Sequence, residues 1–211
     1  SFKKLNLNIN ARGMFFEKLV MPTVTTDPTT NIRRSTFCNT GSGTLIGLAI
    51  NANYTINTKL RASLNVMGNY GIVEGLVNGA VIKNKGLMRR AFASLNYKVS
   101  KNLQGTATVN YNGPNLSLQG TTNSFVSSSF SVSKDFFNNK LAFSFAANNV
   151  FNKYREAINY TNGPNFMQES YNQNYQRNFT TSLNYRFGKL KESIKKNRKG
   201  ISNNDVGGST L

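Results

Sequence analysis

The chain contains no histidine and a single cysteine, Cys38. An internal disulfide is therefore impossible, and zinc sites built from cysteine and histidine are excluded. A serine or cysteine triad has no imidazole to act as its base. Acidic side chains are scarce: eight, against 26 Lys and Arg, for a formal net charge of +18. They are scattered, mostly in expected loops and the C-terminal segment, and no pair has a spacing useful for acid–base work. No catalytic residue, metal ligand or cofactor is expected, and the chain does not read as an enzyme. Cys38 lies in a stretch rich in Thr, Asn, Ser and Gly and reads as an incidental loop residue. Any apolar run of the roughly 20 residues that a membrane-spanning helix needs is also missing. No signal peptide precedes the first alternating segment, which points to processing or truncation at the start. The positive charge is spread along the chain with no nucleic-acid recognition motif, so nucleic acid is not an expected partner. Gly41-Ser42-Gly43 is not followed by the Gly-Lys-Ser/Thr of a phosphate loop.

What is present is alternation. From Tyr175 to Phe187, positions Tyr175, Phe179, Leu183, Tyr185 and Phe187 share one parity, with Arg177 and Thr181 as exceptions. Gln176, Asn178, Thr180, Ser182, Asn184 and Arg186 take the other. Successive side chains of a strand point to opposite faces, so this segment has one apolar and one polar face. Hydrophobic residues are only 38% of the chain and charged residues 16%, so most of the polarity is Asn, Ser, Thr and Gln. With 15 Phe and 9 Tyr, this is not a disordered composition.

The same pattern recurs along the chain. Strands are expected from Leu5 to Ala11, extending towards Met14 and Phe16, then over 44–56, 60–72, 87–99, 103–111, 122–134, 140–150 and 175–187. Turns near 58, 100 and 137 are short. Connections at 17–43, 74–85 and 151–174 are longer and read as loops, although Val73 to Ile82 can extend both flanking strands. The connection at 113–121 is modest. This gives an all-β, antiparallel chain of about eight strands, a sandwich or a barrel.

Two features favour a transmembrane barrel. Short and long connections alternate, as between the periplasmic and outer ends of such barrels. The tyrosines fall on the apolar parity near strand ends. Tyr54, Tyr97 and Tyr185 would line the short-turn end, and Tyr70, Tyr111 and Tyr175 the long-loop end, as a membrane-interface girdle. Arg61, Arg90, Lys98, Arg177 and Arg186 carry the polar parity or interrupt the apolar one, and some of them are expected in the lumen. Arg89 and Arg177 are expected at the loop-end interface, where a lipid-facing Arg costs roughly 0–1 kcal/mol against about 2–4 at the midplane. Outer-membrane lipid and lipopolysaccharide are thus expected partners. Residues 1–188 are expected to form the barrel strands and loops. Residues 189–211, with Lys189 to Lys199 strongly basic, are expected to form a periplasmic tail.

The C-terminal half resembles TonB-dependent outer-membrane receptors of the Bacteroidota type, within the outer-membrane β-barrel family. The resembling stretches are Asn148-Asn149-Val150-Phe151-Asn152, Gly163-Pro164-Asn165-Phe166 and Leu183 to Lys191, followed by the basic, Asn-rich close at Lys195 to Gly208. The resemblance implies that the chain is the C-terminal portion of a barrel of about 22 strands, with an N-terminal plug outside these residues. It implies nutrient uptake energised by a TonB-type complex acting through that missing region, with surface lipoproteins or assembly partners beside it. Tyr185 and Phe187 resemble the terminal aromatics of a barrel-assembly signal. The residues themselves leave other readings open: a non-transporting scaffold barrel, a self-contained eight-stranded barrel, or a soluble adhesin-like sandwich. No ligand-binding residue is assigned.

Overall fold

The computed structural model describes residues 4–27 and 29–187, and every element in them is a β-strand. In chain order these are β1 (Leu5–Thr26), β2 (Arg33–Thr55), β3 (Leu60–Val77), β4 (Ala80–Ser100), β5 (Leu103–Asn112), β6 (Leu116–Ser117), β7 (Gly120–Thr122), β8 (Phe125–Phe136), β9 (Leu141–Asn148), β10 (Tyr154–Gly163), β11 (Phe166–Tyr175) and β12 (Asn178–Tyr185). Eight of them form one antiparallel meander in the order β1-β2-β3-β4-β5-β8-β9-β12. The others form a small sheet, β11-β10-β7-β6.

The register carries the alternation across the whole large sheet. One row runs Leu5, Tyr54, Ala62, Leu95, Ala107, Phe130, Ala147, Phe179. The neighbouring row, on the opposite face, runs Asn6, Asn53, Ser63, Ser94, Thr108, Ser129, Asn148, Asn178. A one-residue slip in any pair would mix the faces, so the pattern itself fixes the register. The apolar row starts at the short-turn end of β1 and finishes at the long-loop end of β12. Seven steps of about 4.8 Å make it about 34 Å long, against about 24 Å for an eight-residue strand such as β12. Strand ends stay level only if the strands lean by about 35°, the tilt of a membrane barrel.

Among the described residues none covers the apolar face: Ile46 is 61% exposed, Phe179 63% and Leu183 68%. The buried apolar core is instead a cluster of Met21, Val77 and Leu118 on the opposite face. A sandwich would bury the apolar face under its second sheet. Here the second sheet lies against the polar face, which rules the sandwich out. β1 and β12 form the two edges of the large sheet and do not pair with each other. The self-contained eight-stranded barrel requires that pairing.

Three expected loops are corrected. Residues 17–43 mostly continue β1 and β2, with a turn only after Thr26. Their period is hidden by two register shifts between Phe16 and Met21, where Lys18 takes a positive φ of 52°. Pro22 is tolerated because β1 is an edge strand and needs no donor there. Cys38 consequently lies in β2, opposite Met21, and not in a loop. Residues 74–85 pair as strand up to a two-residue turn at Asn78-Gly79, with φ of 50° and 77°, the signature of a type I′ hairpin. Residues 151–174 contain the β10–β11 hairpin. The last barrel strand is accordingly Asn178–Tyr185, not 175–187. Tyr175 closes β11 opposite Tyr154.

Candidate functional site

At the long-loop end the small sheet is fastened onto the polar, inner face of the large one. Asn84 of β4 donates from Nδ2 to the carbonyls of Ser117 and Gly120, at 2.8 and 2.9 Å, holding the β6–β7 turn. From that turn Leu118 packs into the Met21–Val77 cluster. Leu116 enters the space left by Gly71 and Gly86, neither of which has a Cβ to fill it. Gln119, 5% exposed, pairs with the backbone of Val24 on edge strand β1. It accepts from Val24 N at 2.6 Å and donates to Val24 O at 2.8 Å. A side-chain amide thus does what a neighbouring strand would do, and satisfies both backbone groups.

Two asparagines splice the hairpin to the barrel. Asn123 accepts from Ile158 N at 2.9 Å and donates to Glu156 O at 2.8 Å. Asn149, at φ 52°, accepts from Ser128 N at 2.9 Å and donates to Gln176 O at 3.1 Å. Asparagine tolerates the left-handed region and carries both a donor and an acceptor. This accounts physically for the Asn148-Asn149 motif at the end of β9.

Two cavities lie between the sheets. The smaller, about 320 Å³, runs along Ile82, Asn84 and Met88 beneath Leu118 and Tyr160. The larger, about 540 Å³, is lined by Arg12, Met67, Asn69, Arg90, Phe125 and Arg155 among others, with no carboxylate in its wall. Arg12 of β1 crosses β2 to reach β3, donating from Nη2 to Asn69 Oδ1 at 3.1 Å and approaching Met67 Sδ at 3.2 Å. It can do so because Gly47 of β2 lies between them, and a Cβ there would overlap the Asn69 amide. Arg90 stands directly opposite Met67 and lines the same space. Arg155 comes from the facing sheet. Its guanidinium lies 3.6 Å from the centroid of the Phe125 ring, and its Nε is buried without a hydrogen-bond partner among the described residues. The chemistry on offer is hydrogen-bond donation from fixed cations. Among the described residues no group of three His, Cys, Asp or Glu side chains is placed to hold a metal ion.

The tyrosines singled out from the sequence fall in two settings. Tyr54, Tyr70, Tyr97, Tyr111 and Tyr185 all carry the apolar parity of the large sheet. Tyr54, Tyr97 and Tyr185 close β2, β4 and β12 near the short turns. Tyr175 lies apart, in the small sheet, its ring 5.6 Å from Tyr154. Phe187 follows β12, its ring 4.5 Å from Tyr185 in a T-shaped contact. Arg61, Arg90 and Lys98 take the inner parity. Arg89 is on the outer one, opposite Gly68 and midway along β4. Arg177 joins β11 to β12, with its Nε buried and unpartnered among the described residues. The basic tail at 189–211 lies outside the described residues. In the sequence Asn149 stands out only as part of a resembling stretch, and nothing there assigns a role to Arg12, Arg155, Gln119 or Asn123. The polar parity of Arg12 was legible, but nothing in the sequence tied it to residues more than a hundred positions away.

A family model described as outer membrane protein beta-barrel family matches residues 1–185. No curated protein and no solved structure matches the chain.

Proposed function

The chain belongs to the outer-membrane protein β-barrel family, whose place is the bacterial outer membrane, and from that premise we propose that it forms part of the wall and outer vestibule of a TonB-dependent receptor importing a nutrient. The observation that carries this reading is the open sheet with its inner face roofed at one end. Lipid does not tolerate the free edges of β1 and β12, so further strands must cover them. A barrel of more than eight strands encloses a lumen that its own side chains do not fill. The inner rows of Asn, Ser and Thr suit a wet passage, and the small sheet leaves two cavities at its mouth. Import against a gradient needs energy. In this reading it comes from a TonB-type complex acting through a plug on the periplasmic side, with surface lipoproteins as further partners.

The test has two arms. The denatured mass of the polypeptide from native outer membranes should lie far above the 23.4 kDa of these residues. Cells lacking the gene should lose uptake of at least one scarce solute, and a protonophore should abolish the same uptake in wild-type cells. A mass near 23.4 kDa, or a deletion strain with unchanged uptake throughout, would refute import and leave a scaffold barrel as the reading.

A further inference from the structure

We propose that the larger cavity is a binding site for a soluble solute carrying several oxyanion charges, such as a polycarboxylate or a phosphate ester. This deepens the uptake reading and rests on it for the ligand's role, though not for its binding. Four arginines line this space, Arg12 on β1, Arg89 and Arg90 on β4 and Arg155 on β10; Arg89 carries the outer parity, which leaves Arg12, Arg90 and Arg155 as the three guanidinium groups from three strands on the inner side. Among the described residues none of the three is paired with a carboxylate, and the ion pair Lys83–Glu74 lies elsewhere. Like charges held together repel, so an uncompensated cluster favours an anion between them.

The cluster is also positioned in advance. Arg12 is held by Asn69, itself 5% exposed. Arg155 is held over the Phe125 ring, 3.6 Å from its centroid, a contact that takes none of its hydrogen-bond donors. Its buried Nε already lacks the acceptor that a desolvated donor requires. Guanidinium forks match carboxylate and phosphate oxygens two at a time, so a solute with several such groups engages more than one arginine. Asn112 and Asn115 in the same wall offer neutral amides for hydroxyl or carbonyl groups. Lipid phosphates share this chemistry, but the cavity opens on the inner face and lipid meets the other side of the sheet.

The test is calorimetric titration of the intact polypeptide, purified from outer membranes in an uncharged detergent. Citrate and inorganic phosphate are the anionic probes, and glycerol is the neutral control. Citrate should bind more tightly than phosphate, with an affinity that falls as salt is raised, and glycerol should not bind. Arg155→Gln and Arg90→Gln, each confirmed as folded by heat-modifiable gel migration, should weaken citrate about tenfold or more, the loss of one charge-assisted contact. The proposal is overturned if neither anion binds, or if both folded variants keep wild-type affinity. Displacement of citrate by added lipopolysaccharide would also overturn it, because the site would then be within reach of lipid. If citrate binds as described but uptake proves absent, the import reading falls and the site stands. If uptake is intact and the anions do not bind, only the site falls.

Discussion

Gly47→Ala should damage the barrel from a position with no side chain of its own. In the structure the Asn69 side chain lies over Gly47 on its way to the Arg12 guanidinium, 3.1 Å from its oxygen. A methyl group at 47 overlaps that oxygen, and the Asn69 Cγ is only 3.0 Å from the added carbon, so the amide must rotate away. The hydrogen bond then lost has a charged donor, which sets its contribution at about 1.5–3 kcal/mol. Against this, replacing a strand glycine removes an entropic penalty of roughly 0.5–1 kcal/mol. The net cost should be about 1–2 kcal/mol. Urea unfolding of the intact polypeptide in lipid vesicles, followed by tyrosine fluorescence, measures it. The decisive form is a double-mutant cycle with Asn69→Ala. If Gly47 exists to admit Asn69, alanine at 47 should cost little once residue 69 has been shortened. Strictly additive costs would refute the reasoning, because the two positions would then act independently.

Gln119→Leu keeps the bulk but breaks both bonds to Val24. Hydrogen exchange at the Val24 amide should rise by an order of magnitude or more, since one lost bond of about 1.4 kcal/mol is tenfold, and unchanged protection would refute the clamp. Asn149→Ala removes the acceptor for Ser128 N and the donor to Gln176 O and places a Cβ at a positive φ without the asparagine's local bonding. Destabilisation of about 2 kcal/mol or more is expected by denaturant titration, while Asn149→Asp should retain part of the loss through its acceptor oxygen. At the β1–β2 turn, the backbone amides of Thr29 and then Thr30 hold the Asp27 carboxyl below its ordinary range. Its contribution is therefore present above the unfolded-state value and lost as pH falls through the depressed folded value. Exchange at Thr29 and Thr30 should accelerate in that acid window, and Asp27→Asn should remove the pH step.

The barrel was legible in the sequence wherever its two-residue period ran undisturbed. Residues 44–56, 60–72 and 87–99 alternate cleanly and match the short-turn ends of β2, β3 and β4 to within a residue, but they stop short of the long-loop ends, which extend to Arg33, Val77 and Ala80. Legibility failed at the long-loop end for identifiable reasons. The shifts around Lys18 switch the parity of β1, so Leu19 and Met21 look out of phase although both face inward. Pro22 and Gly41-Ser42-Gly43 carry loop composition, yet an edge strand tolerates the proline and the glycines make room for Met21 and Leu19. The small sheet left almost no pattern, because β6 and β7 are two and three residues long and a strand that short has no period to read. The arginine cavity was invisible for a further reason. Arg12, Arg90 and Arg155 come together only through the meander and the folded hairpin, and the hairpin carries the composition of a loop. Tyr175 was misplaced by the same error, since its spacing continues the parity of β12 across Gln176 and Arg177, where the ladder in fact breaks.

The Gln119 clamp also sets a boundary for whatever lies beside β1. A strand zipping up that edge from the short-turn end meets the irregular stretch between Phe16 and Met21, then Pro22 with no N–H to offer, and then Val24, where both groups are already taken by the amide. It must stop there or evict Gln119. The wall next to β1 therefore ends lower than β1 itself, and the rim of the mouth is stepped at that point. A side chain in a turn nearly a hundred residues away thus sets how high its neighbour can climb.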